Sequence, residues 1–293
     1  MQVFKKTMLT AVMAALALLF LFPVALTFTN SLMSESEITA SFYPISENRT
    51  AQNADDPRLQ GAYVSLKWIP DRVTLSPYYN VLVKKPQFLL LFWNSVRLTV
   101  PIILGQLAVA SLAAYAFAQL RFRFREPLFF MYIVTMLMPF QVTLVPNFIM
   151  ADKLGLLNTY GSIIYPGIFS AFGVFLLRQY MMYIPYAYLE AARVDGAGTL
   201  RIFWQIIVPM SRTGMAALAI LVFIDNWNMV EQPLIFLQDA MKQPLSVYLA
   251  VISVGERGIA FAACALYMLP TLFVMLYAEQ DLIEGIQLSG IKG

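Results

Sequence analysis

Residues 185–209 read PYAYLEAARVDGAGTLRIFWQIIVP, and this stretch predicts two short helices joined by a turn. Pro185 suits the first turn of a helix, because a backbone N–H at that position would have no partner within the helix and proline has none to leave unpaired. Asp195-Gly196 predicts the end of that helix, since glycine adopts the left-handed conformation without steric cost. Thr199 is predicted to cap a second helix that ends near Pro209. We therefore expect a helical elbow here.

The elbow has more apolar side chains than a plain connector needs. Large apolar residues recur in its second half, at Leu200, Phe203, Trp204 and Ile207. Such residues are unfavourable in water, so they are expected to pack against the rest of the chain or a partner. Ala191 and Ala192 leave one flank with little side-chain bulk, and a partner's groove could approach that flank closely. The pattern favours an interaction element over a simple linker.

The composition of the whole chain is that of a membrane protein. Of its 293 residues, 59% are apolar and 13% are charged. A soluble globular domain has roughly 45–50% apolar and about 25% charged residues. A chain of this composition suits hydrocarbon better than water.

Long uncharged runs divide the chain into candidate membrane spans. A helix rises about 1.5 Å per residue, so about 20 residues cross a hydrocarbon core ~30 Å thick. Five runs of 21 to 28 uncharged residues lie between Lys6 and Glu35, Arg97 and Arg121, Glu126 and Asp152, Lys153 and Arg178, and Arg257 and Glu279. The first, at about Thr7–Thr29, is longer than the apolar core of a signal peptide and is predicted to be an uncleaved span. The region Thr213–Gln238 is counted as span five, which makes six.

Span five carries polar residues that should not face lipid. Asp225 lies midway along it, and an ionisable residue inside a membrane span indicates a functional site. Asn228 and Gln232 follow Asp225 at helical spacing, so the three are predicted to share one face. Trp227 could stack on a sugar ring. The alternative is that Asp225 pairs with a polar group of another subunit.

Span three contains Pro139 and Pro146, each of which can break a helix and free backbone groups. Gln141 and Asn147 lie beside these prolines. The arrangement indicates either a gate with two further path-lining residues or a simple kink.

Lysine and arginine concentrate on one side of the predicted topology. With the N-terminus inside, the inner segments hold ten of these residues and the two short outer loops hold three. The sequence Arg121-Phe-Arg-Phe-Arg125 between spans two and three is the densest cluster. By the positive-inside rule, both termini are predicted to be cytoplasmic.

One polytopic domain, residues 1–293, is predicted. Its parts are a first span (1–30), an extracytoplasmic loop (31–87), a five-helix core (88–280) that contains the elbow segment (183–212), and a cytoplasmic tail (281–293). The chain has no histidine and one cysteine, Cys264, which excludes the common zinc sites, a Ser-His-Asp triad and an intrachain disulfide. No catalytic constellation is visible, so a membrane-embedded enzyme is not expected.

The elbow resembles a known signature. Glu190-Ala-Ala192, Gly196 and Ile206-x-Val-Pro209 keep the residues and spacing of the EAA motif of binding-protein-dependent ABC importer permeases, except that the family has Leu where this chain has Val208. Further segments are similar to the second permease subunit of maltose and multiple-sugar importers: Asn94-Ser95, 112–118, 154–159, 226–228 and 290–293.

The resemblance implies an all-α polytopic membrane protein with the type I importer permease fold. It implies six transmembrane helices and a cytoplasmic coupling elbow between spans four and five. In that family the elbow docks into a cleft of the ATPase subunit. By resemblance, the coupling residues are Glu190, Ala191, Ala192, Gly196, Ile206 and Pro209, with Asp195 as a helper.

The resemblance also implies the partners and the location. The expected partners are a second homologous permease, an ABC ATPase dimer, an extracytoplasmic solute-binding protein and membrane lipid. Nucleic acid is not expected as a partner. The expected location is the bacterial inner membrane. The chain lacks the phosphate-binding loop of ATPases, so ATP and Mg²⁺ are assigned to the ATPase and no cofactor to this chain. The predicted function is carbohydrate import. The alternative, an ion-coupled secondary transporter using Asp225 and Glu231, leaves the elbow unexplained.

Overall fold

A computed structural model describes residues 2–42, 67–252 and 254–290. The described residues form helices and connecting turns, with no strand among them. The helices before the elbow are α1 (Gln2–Asn30), α2 (Glu35–Phe42), α3 (Ser76–Tyr79), α4 (Pro86–Gln119), α5 (Arg125–Met136), α6 (Phe140–Lys153), α7 (Gly161–Ile168) and α8 (Ala171–Met182). Those from the elbow onward are α9 (Tyr186–Val194), α10 (Thr199–Ile202), α11 (Val208–Met210), α12 (Arg212–Trp227), α13 (Glu231–Phe236), α14 (Leu245–Ala250) and α15 (Ala260–Gly290).

Among these residues, four helical segments are long and apolar enough to cross a membrane on their own. They are Lys5–Asn30, Pro86–Gln119, Gly161–Met182 and Ala260–Tyr277. Two bent pairs reach the same length together, α5 with α6 at 100° and Thr199–Met210 with α12 at 74°. The count is therefore six if each pair is one span, which is the number that the sequence predicted. The pair at the fifth position includes Thr199–Met210, which the sequence prediction assigned to the elbow and not to the span.

The two prolines of the third span behave differently. Pro139 lies between α5 and α6, at the 100° bend, so the predicted break there is confirmed. Pro146 lies inside α6, which continues past it to Lys153. The prediction that Pro146 also breaks the helix is wrong.

The fifth span is shorter than predicted. Helix α12 ends at Trp227, and Asn228–Val230 separate it from α13. The single helical face proposed for Asp225, Asn228 and Gln232 therefore does not exist, because the helix stops before Gln232. A separate turn positions that residue.

The chain divides into two compact units. The first comprises Met1–Leu89 and Leu249–Leu269. In it, Glu256 pairs with Lys85 at 2.6 Å, and Glu37 pairs with Lys67 at 2.9 Å. Desolvation alone would raise the pKa of Glu37, but hydrogen bonds from the Asp71 N–H and from Lys67 lower it below its usual value. The predicted outer-loop segment 43–66 lies outside the described residues.

The second unit comprises Leu90–Tyr248 and Pro270–Gly293 and contains the elbow. Its core combines aliphatic and aromatic residues of α4, α8, the elbow and α12, such as Leu98, Leu177, Ile202 and Leu218. Gly214 of α12 lies against the Tyr180 ring of α8, where an added Cβ would be 2.5 Å from the ring. This close approach of two helices requires glycine. The last residues, 291–293, lie outside the described part of the chain, including most of the 290–293 resemblance and the end of the predicted cytoplasmic tail.

Candidate functional site

The first arm of the elbow is α9, and hydrogen bonds close its C-terminus. The Ala197 N–H donates to the Ala192 carbonyl at 2.9 Å, and the Gly196 N–H donates to the Arg193 carbonyl at 3.0 Å. Gly196 has φ = +80°, in the left-handed region. This is the Schellman arrangement that ends helices at glycine. The predicted stop at Asp195-Gly196 is confirmed.

The second arm runs from Thr199 to Met210 and differs from the prediction in its cap. Thr199 does not cap this arm; Gly198 occupies the cap position and Thr199 is the first helical residue. The arm ends at Met210, one residue after Pro209, so the predicted end near Pro209 is confirmed. A wide π turn over Phe203–Ile207 precedes Pro209. We attribute the tolerance of Pro209 to this turn, because an α-helix would place the proline ring against the carbonyl four residues earlier.

The elbow has a buried face and an exposed face. Leu189, Ile202, Phe203 and Ile207 are at most 1% exposed and belong to the core of the second unit. The opposite face leaves large apolar side chains exposed: Tyr188, Val194, Leu200 and Trp204. The sequence predicted burial for Leu200 and Trp204, and in the isolated chain they are 69% and 64% exposed. Their burial therefore requires a partner or the lipid interface.

The predicted coupling residues occupy the exposed end of this elbow. Glu190, Ala191, Asp195 and Gly196 are exposed, and Ala192 is partly buried. Pro209 is exposed and Ile206 is half-buried, on the second arm. The structure thus places Glu190, Ala191, Asp195 and Gly196 at an exposed bend, whereas Ala192 packs against the core and Ile206 and Pro209 lie farther along the second arm.

Side chains of α4 and α8 fix the elbow to the helices behind it. The rings of Tyr115 and Phe203 have centroids 5.5 Å apart. The Gln119 amide donates to the Met181 carbonyl at 2.5 Å and to the Ile184 carbonyl at 3.2 Å, immediately before α9. The elbow is therefore in direct contact with α4, and α4 is hydrogen-bonded to the end of α8.

A polar cavity of about 560 Å³ opens in the second unit beside α12. Its polar lining comes from five different elements or turns: Gln106, Asn147, Ser170, Asp225, Asn226 and Gln232. An adjoining cavity of about 650 Å³ shares Asp225, Asn226 and Gln232 and adds Gln141, Asn228 and Glu231. The two cavities bring together five of the six predicted path residues, although not on one helix.

Some of the polar side chains that line the cavities form hydrogen bonds with neighbouring residues of the chain. The Gln141 amide donates to Glu231 at 3.3 Å, and the Asn228 amide donates to the Ile224 carbonyl at 2.7 Å. The Asp225 side chain is exposed to the cavities. Carboxylate and amide groups at these positions can accept from and donate to the hydroxyl groups of a solute.

Trp227 is the one predicted path residue that lines neither cavity. It is 2% exposed and packs between Phe92 and Phe223, with ring centroids 5.5 and 5.3 Å away. Its ring cannot stack on a solute in this arrangement, so that prediction is corrected. Gln106 was missed by the sequence reasoning, although an amide inside the uncharged run of span two was a readable signal.

The sequence matches a known family over a region that includes most of the second unit. Residues 106–281, more than half of the chain, match the model of the binding-protein-dependent transport system inner membrane component. The chain belongs to this family. It is therefore a membrane permease of the ABC importer type, with the elbow and the polar cavity inside the matched region.

Individual relatives agree with the family assignment. The chain is 33% identical over 204 residues to the sn-glycerol-3-phosphate transport system permease protein UgpE of Yersinia pestis bv. Antiqua, covering 68% of this chain and 73% of the relative. It is 28% identical to the arabinooligosaccharides transport system permease protein AraQ of Halalkalibacterium halodurans, covering 78% and 84%. It is 34% identical to the lactose transport system permease protein LacG of Rhizobium radiobacter, covering 67% and 73%.

The fold matches a solved importer. A chain of a bacterial ABC transporter involved in the import of the acidic polysaccharide alginate superposes with a TM-score of 0.77 at 23% identity, covering 94% of this chain and 96% of that one. A second structure, the alginate transporter in complex with a pentasaccharide-bound periplasmic protein, gives 0.56 at 18% identity over 70% and 81%. The predicted fold class, a type I importer permease, is confirmed.

Proposed function

We propose that this chain imports a carbohydrate or a related hydroxyl-rich solute, as one of two permease subunits driven by a separate ATPase. The three relatives described above are named for glycerol phosphate, arabinooligosaccharide and lactose transport. Each of these solutes carries more than one free hydroxyl group. A cavity lined by amides, a serine and a carboxylate has the donors and acceptors that such solutes require.

One observation carries the coupling role. The elbow buries one face in the core and leaves the other, with Glu190, Ala191 and the bend at Gly196, exposed. The exposed apolar side chains Leu200 and Trp204 extend this surface. Such a surface fits a groove on another subunit, with small residues allowing close approach and Glu190 providing orientation. We assign that groove to the ATPase, which binds ATP and Mg²⁺ in place of this chain.

The remaining partners follow from the same proposal. A second permease subunit would cover the open side of the cavities, and an extracytoplasmic binding protein would deliver the solute. We propose a cytoplasmic location for the elbow, for the turn Arg121–Arg125 and for both termini. This orientation agrees with the concentration of Lys and Arg in the inner segments.

We propose that Asp225, Asn228, Gln232, Gln141 and Asn147 line the solute path, joined by Gln106 and Asn226. Their support is the shared cavity wall described above. Trp227 is not included, because its ring is buried.

The test is a charge reversal at Glu190 in the assembled importer. Glu190→Arg is expected to lower both solute uptake and ATPase co-purification by about 10-fold or more, the equivalent of about 1.4 kcal/mol. Asp152→Arg, at an exposed carboxylate at the end of α6, is the matched control and should leave both unchanged. Full uptake and normal ATPase recovery in Glu190→Arg would exclude the elbow as the docking site.

A further inference from the structure

The turn between α4 and α5 carries positive charge that the proposed coupling does not use. Arg121, Arg123 and Arg125 lie within five residues, and Arg178 of α8 reaches the same place. Glu126 is the acid of this group. Four arginines and one carboxylate give +4 − 1 = +3, an excess of three positive charges.

Glu126 neutralises only the inner part of this cluster. It pairs with Arg125 at 2.8 Å and with Arg178 at 3.1 Å. Arg178 is further engaged, since its guanidinium lies 3.7 Å from the centre of the Phe129 ring. Among the described residues, Arg121 and Arg123 have no carboxylate within ion-pair distance. These two outer arginines are available to an anion.

Part of the cluster lines a cavity of about 500 Å³, which we call the arginine cavity, formed by Arg121, Phe122, Phe124, Arg125, Glu126 and Pro127. Arg123 lies at its edge, with its guanidinium 4.9 Å from the centre of the Phe124 ring. The rings of Phe122 and Phe124 are 41% and 60% exposed. Exposed rings beside basic groups at the end of a membrane span are typical of the membrane–water interface. The rings can enter the lipid while the guanidinium groups remain at headgroup depth.

The arginine cavity is connected to the elbow. Arg121 lies over the Tyr186 ring at 5.6 Å, and Tyr186 is the first residue of α9. The Tyr186 hydroxyl accepts a hydrogen bond from Arg193, also of α9, at 2.6 Å. An anion bound by Arg121 would therefore fix a side chain that contacts the start of the elbow.

We propose that the arginine cavity binds the phosphate of an anionic phospholipid, in the leaflet on the side of the elbow, and that this lipid steadies α9 through Arg121 and Tyr186. The effect on transport rests on the proposed coupling role of the elbow, whereas the lipid binding itself does not. Guanidinium groups bind phosphate through paired N–H donors, and basic pockets next to membrane spans select anionic headgroups.

The binding is tested on the purified full-length chain in detergent by native mass spectrometry. Wild type is expected to retain phosphatidylglycerol and to release phosphatidylcholine. Arg121→Gln with Arg123→Gln is expected to weaken phosphatidylglycerol binding by about 30-fold, at about fivefold for each arginine. Lys5→Gln with Lys6→Gln removes the same charge at the start of α1 and should have no effect.

Three results would overturn the proposal. The first is equal phosphatidylglycerol retention in wild type and in the double arginine variant. The second is displacement of the lipid by millimolar inorganic phosphate, which would identify a site for a soluble anion. The third is loss of ATPase co-purification by this variant in lipid-free detergent, which would assign the two arginines to the ATPase contact.

The link to the elbow has its own readout. Phosphatidylglycerol is expected to slow amide hydrogen exchange in residues 186–194 of wild type, and Arg121→Lys should retain part of this effect. No slowing in wild type would remove the link. Because native mass spectrometry and hydrogen exchange both use this chain alone, failure of the ATPase-docking proposal would leave these two results unchanged and would appear in the Glu190→Arg experiment.

Discussion

Tyr115 and Phe203 join the second span to the elbow, with ring centroids 5.5 Å apart and the Tyr115 hydroxyl 3.5 Å from the Thr199 carbonyl oxygen. Both residues are at most 3% exposed. The elbow is thus part of the packed core and not an appendage. We therefore expect a movement of the elbow to be felt by α4 at this contact.

Substitutions at Phe203 and at its neighbour Trp204 are expected to distinguish an effect on stability from an effect on ATPase docking. Phe203→Ala should lower the free energy of unfolding by about 3–5 kcal/mol, because a buried ring is lost. Trp204→Ala should lower it by only about 1 kcal/mol, from the edge contact with Phe203, because Trp204 is 64% exposed. Trp204→Ala should nevertheless reduce ATPase co-purification. Thermal unfolding in detergent and affinity recovery of the complex measure the two effects, and equal destabilisation by both variants would contradict the assigned faces.

Gly196 and Gly198 form a second matched pair. No atom lies within 4 Å of the position of an added Cβ at either glycine, but only Gly196 has a positive φ. Gly196→Ala should therefore strain the bend by about 1–2 kcal/mol through the backbone alone, whereas Gly198→Ala should be neutral. Uptake and hydrogen exchange at residues 192–197 report the change. Equal behaviour of the two variants would mean that the left-handed turn does not matter for coupling.

Asp225 tests the solute path. Asp225→Asn keeps the shape of the side chain and removes its charge, so assembly should persist while uptake changes by about 10-fold or more, as expected for a hydrogen bond to a charged group. Asp152→Asn is the control, at an exposed carboxylate that lines neither cavity. Uptake in membrane vesicles, normalised to the amount of assembled complex, gives the answer. Wild-type uptake in Asp225→Asn would remove this residue from the path.

The elbow could be predicted from the sequence because its determinants are local. The bounds of α9 and its end at Gly196 depend on propensities and a left-handed glycine within a few residues. The six candidate spans also follow from a local property, the length of uncharged runs.

Other features depend on contacts that the sequence does not display. Trp227 is buried because Phe92, far away in the chain, packs against it. Helix α12 ends after Trp227, but Asn228–Val230 contain no glycine or proline that would indicate this end. The sequence prediction therefore continued the helix as far as Gln232. The lining of the polar cavity was predicted only in part, because its residues come from several helices and turns that are distant in sequence.

The bend at Pro139 has a mechanical consequence for the third span. Each arm is too short to cross the bilayer alone, since 12 and 14 residues at about 1.5 Å each reach roughly 18 and 21 Å, against ~30 Å of hydrocarbon. The arm with Glu126 and Phe129 meets the arginine cavity, while the arm with Gln141 and Asn147 meets the solute cavity. The third span is therefore built from two short helices, and we expect a change of the angle at Pro139 to move one of them relative to the other without tilting both.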